Sequence, residues 1–330
     1  MQPGGRARTQ TTPADETAED AALLRRFKLL QLIGLGNYAR VYRATPTDAA
    51  TASSPADGLD RELAIKSINL GRVSENYRTK FLPRELSILK RAQHANICKV
   101  YEIFQVTHRI FIVMQFCSRG TITDLLQRLG PLSEPVARNL FVQVADAVVY
   151  LHALDFAHRD IKVENILLDG DFVPKLTDFS YSVRLGVRAR EAKVACGELR
   201  RIKSQKAAQN RKSTSRSRLN ETFCGTLPYL APEMIRQIPY DSKKADVWSL
   251  GVSLYVMLND RIPFPIDDIK ETVRRQLSRD YKFKAQPQRS DKCLELVGLL
   301  LEPDFYKRIT SQEASRHAWM SSGPREKPPA

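Results

Sequence analysis

The chain has 330 residues, 42% of them apolar and 27% charged, with a formal net charge of +15. That length suits one large domain or two smaller ones, and the absence of any run of about 18 apolar residues argues against a membrane-spanning helix and a membrane partner. Eleven basic and three acidic residues between Gly186 and Glu221 supply +8 of the charge, so it is a local insert and not a basic domain face, and nucleic acid is not the expected partner. In chain order, residues 1–26 read as a disordered, polar N-terminal extension. Phe27 to Ala44 reads as a β-hairpin around a glycine turn, Thr45 to Asp60 as an exposed loop, and Leu63 to Ile68 as a strand. Arg78 to Arg91 carries Phe81, Leu82, Leu86 and Leu89 at helical spacing, and Val100 to Phe104 and Ile110 to Phe116 read as two more strands. Beyond them Ser133 is a predicted N-cap, with Pro135 in the first turn and Leu140, Phe141, Val144, Val148 and Leu151 on one apolar stripe. Asp246 to Leu258 is apolar all round, as in a buried central helix. The class that follows is α+β: a small β-rich lobe with one helix (27–116), a larger, mainly helical lobe (117–319) and a short C-terminal tail (320–330).

Four motifs carry the chemistry. His158-Arg159-Asp160-Ile161-Lys162-Val163-Glu164-Asn165 reads as a phosphoryl-transfer loop, with Asp160 to orient a hydroxyl nucleophile and Asn165 to hold a metal ion. Thirteen residues after Asn165 stands Asp178-Phe179-Ser180, where a second metal-binding aspartate is needed. Upstream, Ala64-Ile65-Lys66 offers a strand lysine for nucleotide phosphates; downstream, Ala231-Pro232-Glu233 closes a candidate activation segment. Gly34-Leu35-Gly36 alone reads as readily as a hairpin turn, but its place just before Val41 and upstream of Lys66 favours a phosphate loop. The five cysteines, Cys98, Cys117, Cys196, Cys224 and Cys293, are scattered without metal-ligand spacing, which suits a reduced compartment, cytoplasmic and with the nucleus left open.

This set, in this order, resembles the eukaryotic protein kinases from about Phe27 to Trp319. Phe81-Leu82-Pro83-Arg84-Glu85, Val100-Tyr101-Glu102-Ile103-Phe104, Thr222-Phe223-Cys224-Gly225-Thr226, Ile238-Pro239-Tyr240 and Tyr255-Val256-Met257 resemble the testis-specific serine/threonine kinases, of the calmodulin-dependent-kinase-like group. The resemblance implies a bilobal kinase fold that moves the γ-phosphate of Mg·ATP to serine or threonine of protein substrates, in male germ-cell development. It implies that Ile33, Gly34, Gly36 and Val41 contact the nucleotide and that Val41, Ala64 and Leu167 sandwich adenine. Met114 falls at the gatekeeper position and Gln115 to Cys117 at the hinge. Glu85 pairs with Lys66, which holds the α- and β-phosphates. Asp160 and Lys162 are the catalytic pair, Lys162 marking the serine/threonine type, and Asn165 and Asp178 coordinate Mg²⁺. His158 packs structurally under Phe179, with Leu89 and Val100. Arg159 is expected to bind a phosphate on Thr222, placed there by an upstream kinase or by autophosphorylation, in a protein taken as a monomer. Thr226, the Glu233–Arg308 pair and Asp246 are structural supports.

The chain departs from the pattern in two places. Ser180 replaces the glycine of Asp-Phe-Gly, which keeps Asp178 and stiffens or biases the loop. Asp178 and Thr222 are 44 residues apart, roughly thirty more than a compact activation segment needs, with the excess basic and polar. The insert reads first as a solvated loop, and secondarily as a nuclear-localisation patch, a docking arm or a phosphosite cluster. Glu164 suits a basic residue before the phosphosite, whereas Thr121 and Val256 lack the further glutamates of strongly basophilic kinases. Two rival classes stand beside the enzyme: a pseudokinase scaffold, and a nucleic-acid binder resting on the insert alone.

Overall fold

The computed structural model describes residues 23, 25–36, 39–47, 62–185, 219–220, 224–284 and 288–329. The chain forms two units: the first holds the residues up to Gln93 together with Cys98–Ser118, the second His94–Ile97 and the chain from Arg119 onward. Among the described residues, no helix is long and apolar enough to cross a membrane.

The first unit is an antiparallel sheet of β1 (Phe27–Leu35), β2 (Ala39–Pro46), β3 (Leu63–Asn69), β4 (Val100–Val106) and β5 (Arg109–Gln115), in the order β1-β2-β3-β5-β4. β3 is buried on both faces, so it reads as a nearly continuous apolar run, Leu63-Ala64-Ile65, broken by Lys66. One core cluster gathers Leu23, Phe27, Ala44, Leu63, Ile65, Phe111 and Val113. Leu23 is 2% exposed, and Arg26 forms a two-pronged ion pair with Glu102. The expected disordered extension through residue 26 is therefore corrected at its end: a buried leucine and a paired arginine belong to the folded unit, while residues 1–22 lie outside the described residues.

The helical run of this unit covers residues 75–89, against the predicted 78–91. A π-helical turn, Tyr77–Phe81, leads into α1 (Leu82–Leu89), with Pro83 in its first turn where no intrahelical N–H is needed. Leu82, Glu85 and Ile88 form its most buried face, with Leu86 and Leu89 half-buried beside it. Leu82, Leu86 and Leu89 of the predicted stripe pack into one core cluster, and Glu85, expected to pair with Lys66, is buried on the same helix.

In the second unit, α2 (Ile122–Leu129) starts with a reciprocal Thr121–Asp124 capping box. α3 (Glu134–Ala153) buries the whole stripe Leu140, Phe141, Val144, Val148 and Leu151. Short pairs follow: β6 (Phe156–Ala157) with β9 (Val183–Arg184), β7 (Ile166–Leu168) with β8 (Pro174–Leu176), and β10 (Leu219–Asn220) with β11 (Tyr240–Asp241). α4 (Ser242–Asn259) is the buried central helix and begins four residues before the predicted Asp246, capped by Asp241 on the Lys243 N–H. α5 (Ile269–Ser278) and α6 (Asp291–Leu300) complete the larger helices.

Ser133 occupies the predicted N-cap position of α3, but its side chain makes no capping bond. Glu134 beside it is a hub instead. Its carboxylate accepts from Ser290 N (2.9 Å), Ser290 Oγ (2.6 Å), Arg138 Nη2 (2.7 Å) and Trp319 Nε1 (2.7 Å). The segment after Met320 is fastened to α3, where Arg138 Nη1 donates to the Pro324 carbonyl and Asn139 Nδ2 to that of Glu326, both at 3.0 Å.

Candidate active site

Lys66 owes its position to strand register: it pairs with Val41 of β2 on one side and Ile112 of β5 on the other. Its Nζ lies 2.6 Å from Glu85 Oε1, and Glu85 is 1% exposed. The other carboxylate oxygen accepts from the Tyr77 hydroxyl at 2.8 Å. Tyr77 escaped the sequence reading; the only signal for it is a spacing of eight residues, about two helical turns, before Glu85. Gly34 pairs with Val41, and a Cβ at Gly34 would come within 3.3 Å of the Val41 Cβ, so the hairpin uses glycine for close approach. Gly36 N–H donates to the Ala39 carbonyl at 2.8 Å and closes the turn, while Ile33 is exposed. Ala64 is buried opposite Met114, Gln115 ends β5 with its N–H on the Lys99 carbonyl, and Cys117 is buried just beyond.

In the second unit the catalytic loop hangs from one buried carboxylate. Asp246, fully buried on α4, accepts from the backbone N–H groups of His158 and Arg159, each at 2.7 Å, and lies 3.0 Å from His152 Nε2. These bonds hold Arg159 at φ +67°, a left-handed conformation that is uncommon for a residue with a Cβ. Asp160, next in line, is 4% exposed and receives donors on both oxygens. Oδ1 accepts from Thr226 Oγ1 (2.8 Å) and Thr226 N (3.1 Å). Oδ2 accepts from Asn165 Nδ2 (2.9 Å) and lies 3.0 Å from Lys162 Nζ. Lys162 also donates to Thr226 Oγ1 at 2.6 Å, so lysine, threonine and aspartate form one chain of donors and acceptors. Gly225 makes this approach possible: its φ is +121°, and a Cβ there would lie 2.9 Å from the Arg159 carbonyl. Sequence reasoning found Thr226 but not this requirement.

His158 is not a base in this arrangement. Its Nε2 faces the Thr177 carbonyl at 3.1 Å and must carry the proton, while Nδ1 accepts from Asp160 N at 3.3 Å. Its ring packs on Phe179 with centroids 4.8 Å apart, as the sequence reading expected. The predicted Glu233–Arg308 pair is buried and two-pronged, at 2.8 and 3.0 Å. Arg159 is 3% exposed and donates from Nε to the Tyr181 carbonyl at 2.7 Å. Burial raises the Tyr240 phenol above its usual range, against the pull of neighbouring Arg159. Thr222 lies outside the described residues.

The β7–β8 hairpin joins the two candidate metal ligands. Thr177 N–H donates to the Asn165 carbonyl at 3.0 Å, so Asn165 and Asp178 leave the paired strands together. Both Asn165 amide hydrogens go to Asp160, one to its carbonyl and one to Oδ2, which leaves Oδ1 as the acceptor of that side chain. An amide oxygen and a carboxylate form a hard-oxygen set that suits Mg²⁺, an ion that draws its other ligands from water and phosphate. Among the described residues, no cluster of three or more His, Cys, Asp or Glu could hold a metal by itself. Leu167 lies half-buried between these groups along β7, bridged to Thr121. Tyr181 beside the site has its phenol pushed up, first by burial and then by the charge of Asp160.

Comparison with known proteins agrees with this geometry. Residues 27–320 match the protein kinase domain family. The chain is 35% identical over 313 residues to testis-specific serine/threonine-protein kinase 1 of Homo sapiens, covering 94% of this chain and 76% of that one. It is 37% identical over 305 residues to testis-specific serine/threonine-protein kinase 3 of Mus musculus, covering 92% and 99% respectively. With serine/threonine-protein kinase kin-29 of Caenorhabditis elegans it shares 33% identity over 292 residues, which is 87% of this chain and 30% of the longer relative. The chain is a protein serine/threonine kinase by family, and over most of its length it is similar to the testis-specific members.

Proposed function

We propose that the chain is catalytically active and transfers the γ-phosphate of ATP to serine or threonine hydroxyls of proteins. The observation that carries this reading is the Asp160 network, in which Lys162, Asn165 and Thr226 fix both carboxylate oxygens. A carboxylate held this way orients the attacking hydroxyl and accepts its proton as the phosphoryl group leaves ADP. Lys162, shared between Asp160 and Thr226, supplies positive charge for the oxygens of the transferring group. Asn165 Oδ1 and Asp178 would hold Mg²⁺, which when bound neutralises phosphate charge. Lys66, aligned by Glu85 and Tyr77, is assigned to the α- and β-phosphates. Glu164 is exposed and stands near the buried phenol of Tyr229, which gives protein substrates with a basic residue before the phosphosite a partner.

The names of the relatives support a role in the male germ line, which transcript measurements across tissues would test. Regulation through a phosphate on Thr222 follows from Arg159, and Thr222→Ala should then lower activity; full activity in that variant would remove the idea. The direct test of the main proposal is phosphoamino-acid analysis of a generic basic protein after incubation with labelled ATP and Mg²⁺. Phosphoserine or phosphothreonine, absent with Lys66→Met, is the expected result. Phosphotyrosine, or transfer that survives Lys66→Met, would overturn it.

A further inference from the structure

Position 180 carries a contact that glycine could not make. Asp178 sits at φ +62°, in the left-handed region. Ser180 Oγ donates to Asp178 Oδ1 at 2.5 Å, whereas the Ser180 N–H is 3.4 Å from the same oxygen. A hydroxyl–carboxylate bond this short belongs to the strong, charge-assisted kind, and the amide contact is long. The side chain therefore makes the firmer tie. The rest of the turn is already fixed: Phe179 is 1% exposed against His158, and Ser182 N–H donates to the Phe179 carbonyl at 3.0 Å. The Ser180 hydroxyl thus acts on the carboxylate of Asp178 itself and restrains its rotamer. An oxygen that accepts one hydroxyl keeps a second lone pair, so a cation and Ser180 can share the carboxylate. Metal-binding carboxylates gain affinity when a neighbour fixes their orientation.

From this we infer that Ser180 is a positioning residue for the metal ligand Asp178, which sets the cation affinity of the site. The inference rests on the proposed metal role of Asn165 and Asp178. Its test is the affinity for Mn²⁺, read by paramagnetic resonance of the free ion, with a non-hydrolysable ATP analogue present. The wild-type chain is compared with Ser180→Ala and Ser180→Thr. Ser180 is partly exposed, so alanine creates no cavity, and a thermal melt verifies that the variant is folded. Ser180→Ala should weaken Mn²⁺ binding about tenfold, and Ser180→Thr, which keeps the hydroxyl, should restore it. Equal or tighter binding by Ser180→Ala, or no rescue by threonine, would overturn the positioning role and leave the kinase reading standing. No nucleotide-dependent Mn²⁺ binding by the wild-type chain would remove the metal role of Asn165 and Asp178, and the role of Ser180 with it.

Discussion

Glu85 is 1% exposed and divides its two oxygens between Lys66 and Tyr77. A hydrogen bond to a buried carboxylate is worth about 1.5–3 kcal/mol, less where water can replace the donor. Tyr77 is only half-buried, so Tyr77→Phe should cost about 1 kcal/mol and weaken ATP binding about fivefold. Titration calorimetry with ATP checks this, and unchanged affinity would show that Lys66 aligns Glu85 unaided. At this scale the sequence made the chemistry legible where a residue type is nearly obligatory, as for Asp160, Lys162, Asn165 and Asp178. It hid Tyr77, because the reach of that hydroxyl depends on a π-helical turn that no local pattern announces. It also hid the bond of Ser180, since the substitution was visible but the side-chain rotamer was not.

At the scale of elements, α4 exists to bury one carboxylate beneath the catalytic loop. Its buried length is largely apolar, and Asp246 within it is where three donors converge. Asp246→Ala would leave the His158 and Arg159 N–H groups buried without an acceptor, at about 1–3 kcal/mol each. Urea denaturation should therefore show a loss of about 2–5 kcal/mol, with Arg159 released from its left-handed conformation. An unchanged midpoint would mean that the loop is held elsewhere. Helices with a long apolar stripe, α3 and α4, were legible because the burial of a stripe is a repeated signal. Their ends were less so: Ser133 looks like a cap from composition, yet Glu134 is drawn instead to Ser290 and Trp319, contacts more than 150 residues away in sequence. The helical run over residues 75–89 was legible to within a few residues at each end, but the π turn inside it was not.

At the scale of the molecule, α3, the start of α6 and the segment around Trp319 are tied together by Glu134. Burial pushes its carboxyl up, but the Ser290 donors, Trp319 Nε1 and Arg138 outweigh that and hold it below its usual 4.5. A depressed carboxylate stabilises the fold above its ordinary range, and the contribution is lost as pH falls through the folded value. The Tm difference between the wild type and Glu134→Gln should thus be widest near neutral pH and narrow as pH falls below the usual carboxylate range; a difference constant with pH would contradict this. The two-unit order, β-sheet then helices, was legible from periodicity, while the junction was not, since His94–Ile97 joins the second unit through contacts such as Asn96 Nδ2 on the Pro174 carbonyl. The basic insert has no periodicity to read, and apart from Leu219–Asn220 it lies outside the described residues. The account turns on Asp160 as the residue that orients the hydroxyl. The measurement that tests it is phosphate transfer from labelled Mg·ATP to a generic basic protein, wild type beside Asp160→Asn, with ATP binding measured on both. Transfer by the wild type, a fall of at least about 100-fold in the variant and ATP still bound by both is the predicted result. Equal transfer by both would contradict the mechanism, and no transfer by a wild type that binds ATP would leave a kinase fold that serves as a scaffold.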